Sequence, residues 1–270
     1  LDFLADDEAE ATAITKKLLS YFQGAKKYWE EKDQTPLRTM IPEDRRKGFP
    51  VRDILNTIAD ENSFLEMKKI FGRSVITGFM RIEGRPFAVL ANDCQQLGGA
   101  IDSSAADKAA NFIEICSAHG LPILSFVDTP GFMVGPDSEK EGAFRRMGEL
   151  FKHGARIKTP LVGIILRRGY GLGAMAMMGG SFVDPIYSAS WPNGEFGGMG
   201  LEGYVKLGFK KELEAEETEE KKKALFDKLV ARMYEVGKAT EAAAHLEMDA
   251  VIDPAFTRET ILKAFKSFGA

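Results

Sequence analysis

The stretch that decides the fold runs from Pro160 to Gly180 and reads PLVGIILRRGYGLGAMAMMGG. Its first part, Leu161 to Leu166, is a continuous aliphatic run typical of a strand that is covered on both faces. Three glycines at alternating positions follow, and their missing Cβ atoms allow a sharp turn and a close approach by a ligand. The small and apolar residues from Ala174 to Met178 then predict a buried helix. The stretch is therefore predicted to form a strand, a tight turn and a helix.

The start of this helix is a candidate binding site. The first N–H groups of a helix have no partner inside it and stand at the positive end of its dipole, where they can hold a negatively charged oxygen. The stretch lacks the Gly-Lys-Ser/Thr of a P-loop, and it fits a dinucleotide-binding fingerprint poorly in spacing and in acidic residues. Two interpretations stay open: an oxyanion-binding turn built from main-chain amides, or glycines and methionines that serve packing alone.

The composition is that of a soluble globular protein. The chain has 270 residues, of which 44% are hydrophobic and 28% charged, and its formal net charge is -4. The sequence has no long basic stripe, so no nucleic-acid partner is expected. No apolar run reaches the roughly 18 residues that span a bilayer, and no metal site is predicted. We expect a cytoplasmic protein, or a mitochondrial matrix protein in a eukaryote. The two cysteines, Cys94 and Cys116, are expected to be buried and without a redox role.

The chain before the deciding stretch predicts a hairpin followed by a helix and a strand. Residues 74–82 and 85–91 flank Glu83-Gly84, which is typical of a β-hairpin with a tight turn. A helix should begin at Ser103 or Ser104 as its cap and stop at Gly120. A buried strand over 121–127 should follow. Repeated units of this kind favour an α/β fold of stacked ββα type.

The two ends of the chain indicate how it divides into a linker and a folded domain. Residues 1–49 are predicted to form a connecting helix and a polar, proline-bearing linker on the surface, and residues 50–270 to form the folded domain. The mixed charges of 210–228 indicate a solvated helix, and a short strand near 248–254 should close the sheet. Lone His153 is more typical of a structural residue than of a catalyst.

Taken in their order, six segments resemble the carboxyltransferase (beta) subunit of biotin-dependent acyl-CoA carboxylases, of the propionyl-CoA carboxylase beta type. The resemblance is to the C-terminal half of that subunit and covers nearly the whole chain. The segments are ITGFMRIEGRPFAVLAN (76–92), GGAIDSSAADKAANFIEIC (98–116), FVDTPGFMVG (126–135), KHGARI (152–157), GIILRRGYGLGAMAM (163–177) and WPNGEFGGMGLEGYV (191–205).

The resemblance implies a crotonase-like spiral of ββα units and a place in a larger assembly. In this family the N-terminal half faces acyl-CoA, the C-terminal half faces carboxybiotin, and the active site lies between halves of different subunits. The implied partners are an acyl-CoA substrate, a biotin carboxylase, a biotin carrier protein, the N-terminal carboxyltransferase half and further copies in a homo-oligomer. Because the chain starts abruptly, we expect it to be a piece of a longer subunit that is inactive alone.

The resemblance also assigns site residues. Placed on the family's turn, the main-chain amides of Leu172 and Gly173 hold the negative charge that grows on the biotin ureido oxygen. The residues implied to bind the cofactor biotin are Gly131, Phe132, Tyr170, Gly171, Ala174 and Met175. The family's turn more often reads Tyr-Gly-Gly-Ala, so the Leu172 side chain is expected to limit the approach of biotin. Met175 stands where the family sets its acyl-chain preference. No side-chain base is expected, since a biotin nitrogen is thought to take the proton.

The function that this resemblance implies is transfer of a carboxyl group from carboxybiotin to the α-carbon of a short-chain acyl-CoA. One alternative is a biotin-dependent acyl-CoA decarboxylase of the same fold, which runs the transfer in reverse. Another is a non-catalytic assembly domain, in which the glycine-rich turn only packs. A crotonase-type hydratase would need paired carboxylates, for which Asp184 and Glu195 are the nearby acids.

Overall fold

The computed structural model describes residues 1–269, which form a single sheet covered by helices on both faces. The strands are β1 (Leu65–Met67), β2 (Val75–Ile82), β3 (Arg85–Asn92), β4 (Ile123–Thr129), β5 (Leu161–Tyr170), β6 (Tyr187–Ser190), β7 (Glu195–Gly197) and β8 (Ala250–Val251). The helices are α1 (Glu8–Ser20), α2 (Val51–Ile58), α3 (Ser103–Ala118), α4 (Pro136–Lys140), α5 (Ala143–Gly154), α6 (Gly171–Met177), α7 (Leu201–Gly208), α8 (Lys210–Glu214), α9 (Glu219–Val236), α10 (Ala239–Ala244) and α11 (Thr257–Phe268). The predicted α/β class is confirmed.

The sheet order is β1-β2-β3-β4-β5-β6-β8, with β7 paired to the end of β5. The predicted hairpin is confirmed, since β2 and β3 are antiparallel and Glu83 and Gly84 both adopt positive φ, at 50° and 73°. From β3 to β6 the neighbours are parallel. The carboxyl ends of these strands therefore meet at one edge of the sheet, where ligand sites of α/β proteins usually lie.

Alternating residues of β5 enter two separate cores. Leu161 and Ile165 pack with α3, α5 and α6, whereas Val162 and Ile164 pack with α2 and α11 on the other face. The strand is longer than predicted. The sequence places its end before the two arginines, but the strand continues through Arg167 and Arg168 to Tyr170, because buried partners satisfy their side chains.

Two local predictions differ from the structure. The cap of α3 is Asp102, whose Oδ1 accepts from the Ala105 N–H at 2.7 Å, and Ser103 is already helical. The segment from 24 to 48 is largely exposed, but Leu37 and Ile41 within it are buried in the core beside α2. This segment therefore contributes to the core as well as to the surface.

Both cysteines are free and buried, as expected. Within residues 1–269, no helix is long and apolar enough to cross a membrane.

Candidate active site

A cavity of about 500 Å³ opens at the carboxyl edge of the sheet, between the ends of β4 and β5 and the helix α5. Six of the eight residues that the sequence assigns to the site line it: Gly131, Phe132, Tyr170, Gly171, Leu172 and Gly173. The other two lie outside its wall. Ala174 is fully buried in the core, and Met175 is half-buried and does not line the cavity.

The turn that follows β5 is shorter than predicted. Gly171 alone takes a positive φ of 58°, and α6 begins at that residue. A Cβ at Gly171 would lie 2.6 Å from the Gly198 carbonyl oxygen, so only glycine fits there without a shift of backbone. This single bend directs the chain from the sheet into the helix that borders the cavity.

Gly173 lies directly against the loop after β4. A Cβ at this position would lie 2.7 Å from Gly131 Cα and 2.9 Å from the Phe132 nitrogen. Gly131 itself has a φ of 119° and donates its N–H to Thr129 Oγ1 at 3.1 Å. The two strand-end turns are thus packed backbone to backbone, with no room for a side chain between them.

Three main-chain N–H groups at this junction have no acceptor within residues 1–269. They belong to Phe132, Leu172 and Gly173. The last two are in the first turn of α6, where a helix supplies no internal acceptor. Gly173 is buried, whereas the Leu172 side chain is 63% exposed at the mouth of the cavity. These N–H groups can donate hydrogen bonds to an electron-rich oxygen of a ligand.

The walls of the cavity are mainly apolar, and much of this lining was not predicted as a site. Phe144, Met147 and Phe151 come from one face of α5, and Met199 comes from the loop after β7. Their spacing on α5 is that of an apolar helix face, which sequence alone reads as ordinary core. Such walls exclude water and strengthen the polar contacts made inside.

Tyr170 is held from behind by an acidic residue. Its hydroxyl donates to Glu195 Oε2 at 2.9 Å, and Glu195 Oε1 pairs with Arg45 Nε at 2.5 Å. Burial raises the pKa of the Glu195 carboxyl above its ordinary value, and the hydrogen bond from Tyr170 and the charge of Arg45 oppose that rise only in part. Both carboxylate oxygens of Glu195 are therefore occupied by structural contacts with Tyr170 and Arg45.

The paired acids that a hydratase would need do not meet. Glu195 is bound to Tyr170 and Arg45, and Asp184 lines a different cavity beside Gly179 and Pro185. His153 lies on α5 with its nitrogens 3.9 Å from Glu114 and Glu149, and it does not line the cavity of Leu172. Within residues 1–269, no group of three or more His, Cys, Asp or Glu residues could hold a metal ion.

Comparison with known proteins identifies the family of this chain. Residues 1–268 match the family described as carboxyl transferase domain. The methylmalonyl-CoA carboxyltransferase 12S subunit of Propionibacterium freudenreichii subsp. shermanii is 32% identical over 99% of this chain and 52% of its own length. The chain thus spans about half of that relative.

Solved structures agree. A single-chain, multi-domain long-chain acyl-CoA carboxylase superposes with a TM-score of 0.90 and 46% identity, over 98% of this chain and 26% of that one. Transcarboxylase 12S, a hexamer solved with methylmalonyl-CoA and methylmalonic acid bound, gives 0.89 and 29% identity over 100% of this chain and 53% of that one. The crotonase-like fold expected from the sequence is confirmed. The chain belongs to the carboxyl transferase domain family.

Proposed function

We propose that this chain is the biotin-facing half of an acyl-CoA carboxylase carboxyltransferase, which moves a carboxyl group from carboxybiotin to the α-carbon of an acyl-CoA. The observation that carries the proposal is the junction of Gly131 and Gly173, where the three residues with unpaired N–H groups line an apolar cavity. The other half would correspond to the part of the relatives that this chain does not match. The proposed partners are a biotin carboxylase, a biotin carrier protein and further copies of the subunit, and the proposed location is the cytoplasm or the mitochondrial matrix.

The residues present fit a biotin ring. The aromatic and methionine walls can cover its apolar faces, and the N–H groups can bind its ureido oxygen. Carboxybiotin supplies the carboxyl group when it is bound. The amides of Leu172 and Gly173 would stabilise the negative charge that develops on the ureido oxygen, and one such donor is worth about 3 kcal/mol of barrier in known oxyanion holes. Phe132 offers a third donor at the same junction.

Two lengths of the acyl chain, short and long, are both compatible with the comparisons. The sequence predicts a short chain, and the 12S relative is named for methylmalonyl-CoA. The structure that is 46% identical is named for long-chain acyl-CoA. We propose acyl-CoA as the class and test the two lengths directly.

The test uses the full-length subunit with its biotin carboxylase and carrier protein, ATP and labelled bicarbonate. The expected result is label in propionyl-CoA or in palmitoyl-CoA, with most of it lost when Gly173 is replaced by valine. Label fixation that survives Gly173→Val would instead support an assembly domain. Transfer from a carboxylated acyl-CoA to biotin, without ATP-driven fixation, would support the decarboxylase.

A further inference from the structure

The strands β4 and β5 lose their regular register just before the cavity. Val127 pairs with Ile165 but Thr129 pairs with Gly169, so two steps along β4 match four steps along β5. In a regular strand, neighbouring side chains point to opposite faces. The irregularity allows two neighbours, Arg167 and Arg168, to reach the same buried carboxylate, that of Asp128.

Asp128 is fully buried and binds both arginines closely. Arg168 Nε lies 2.7 Å from Oδ1 and its Nη2 lies 3.0 Å from Oδ2, while Arg167 Nη2 lies 3.0 Å from Oδ2. The main-chain N–H of Arg168 also donates to Oδ1 at 3.0 Å. Burial opposes ionisation, but the hydrogen bonds and charges of Arg168 and Arg167 outweigh it and lower the pKa of Asp128.

The arginines extend this contact to two further segments of the chain. Arg168 Nη2 donates to the Gly98 carbonyl at 2.8 Å, and Arg167 Nη1 donates to the Lys47 carbonyl at 2.8 Å. Three residues beyond Gly98, the N–H of Ile101 donates to Gly131 O at 3.0 Å. Through the two arginines, one carboxylate thus links β4 and β5 to the segments of Lys47 and Gly98, and the second of these segments reaches Gly131 in the cavity wall.

The junction of Gly131 and Gly173, which follows Asp128 and Arg168 in the two strands, has little room for displacement. Gly131 follows Asp128 by three residues, Gly171 follows Arg168 by three, and a Cβ on Gly173 would already overlap Gly131. We propose that Asp128 is a positioning residue, which fixes the ends of β4 and β5 so that the N–H groups of Phe132, Leu172 and Gly173 keep one mutual arrangement. Its effect on catalysis rests on the proposed function, whereas its effect on geometry does not.

The test compares Asp128→Asn with Asp60→Asn in the full-length subunit. Asp60 is a matched control: it is buried, binds Arg258 Nη2 at 2.5 Å and accepts from Gly84 N–H at 2.7 Å in the hairpin turn, and it lines no part of the cavity. Both variants should lose stability. Only Asp128→Asn should lower kcat, by about 10-fold to 100-fold, with KM for acyl-CoA within about threefold of wild type. Equal kcat values in the two variants would overturn the proposal.

An Asp128→Glu variant covers the case in which Asp128→Asn does not fold. It keeps the charge but adds one methylene to a side chain that is fully buried and hydrogen-bonded at both oxygens, so kcat should still fall. Wild-type kcat in a folded Asp128→Glu subunit would also overturn the proposal. Crystal structures of the folded variants give a readout without activity. The distance between Gly131 and Gly173 should change in the Asp128 variants and not in Asp60→Asn, even if the wild-type subunit proves not to transfer carboxyl groups.

Discussion

The hydroxyl of Tyr170 donates a 2.9 Å hydrogen bond to Glu195 Oε2, which joins a residue of the cavity wall to the start of β7. Both side chains are buried, and Glu195 is also paired with Arg45 from the N-terminal segment. The aromatic ring beside the glycine turn is therefore held by β7 directly and by the N-terminal segment through Glu195.

Removal of this hydroxyl should cost stability. In Tyr170→Phe, a buried acceptor loses its donor, and hydrogen bonds to charged groups contribute about 1.5–3 kcal/mol. The free energy of unfolding in urea should fall by that amount. Tyr204→Phe is the control, because Tyr204 is exposed and its hydroxyl has no hydrogen-bond partner within residues 1–269; an equal loss in both variants would contradict the prediction.

Replacement of Glu195 by glutamine should change how stability depends on pH. The pKa of Glu195 is raised in the folded protein, so its contribution is fully present below the ordinary value of 4.5 and is lost as the pH rises through the folded-state pKa. Glutamine does not titrate, so the variant does not lose stability in this way. As the pH rises above 4.5, the stability of Glu195→Gln relative to wild type should therefore rise. A constant difference across this range would argue against a raised pKa.

Gly173→Val should strongly reduce carboxyl transfer by displacing Gly131 and Phe132, whose backbone leaves no space for a Cβ. Loss of one aligned oxyanion donor lowers kcat by about 10²-fold to 10³-fold, and that is the expected effect. Gly208→Ala is the control, since its Cβ would make only ordinary contacts with Tyr204. Steady-state assays of the full-length subunit give the comparison, and retained transfer in Gly173→Val would remove the proposed role of the turn.

Leu172→Gly should keep the N–H donor and remove a side chain that stands at the mouth of the cavity. We expect kcat to stay within about threefold and KM for the biotinylated carrier to fall by about tenfold or less, because the steric limit on the approach of biotin is gone. Leu207→Gly, at a similarly exposed helical leucine outside the cavity, should leave KM unchanged. A rise of KM in Leu172→Gly would mean that this side chain binds biotin.

The rim of the cavity should mediate association. Val134, Phe144, Leu172 and Met199 are all exposed around its mouth, at 78%, 73%, 63% and 38%. Because such apolar patches mark interaction surfaces, light scattering should give a dimer or larger species. Phe144→Glu should weaken this association, whereas Val236→Glu, at an exposed site on α9, should not. A wild-type chain that is monomeric at all concentrations would refute the prediction.

Local patterns predicted most of the fold, and long-range contacts account for what was missed. The aliphatic run of β5 and the Glu83-Gly84 turn are local signals, and both elements formed as expected. The continuation of β5 through two arginines was not predictable, because their partner Asp128 lies about forty residues earlier. The same holds for the cavity wall on α5, since periodicity shows an apolar face but not whether a neighbour covers it.

The strand order described for the sheet also bears on how the chain can assemble as it is synthesised. Every strand after β1 pairs with at least one strand that precedes it in the sequence. A growing polypeptide can therefore add each new strand to an edge that already exists, starting from the hairpin, whose contacts are the most local in sequence. The two glycine turns of the site would come together only when β5 emerges, so the binding junction forms after the hairpin and β4 are in place and before β6, β7 and β8 are added.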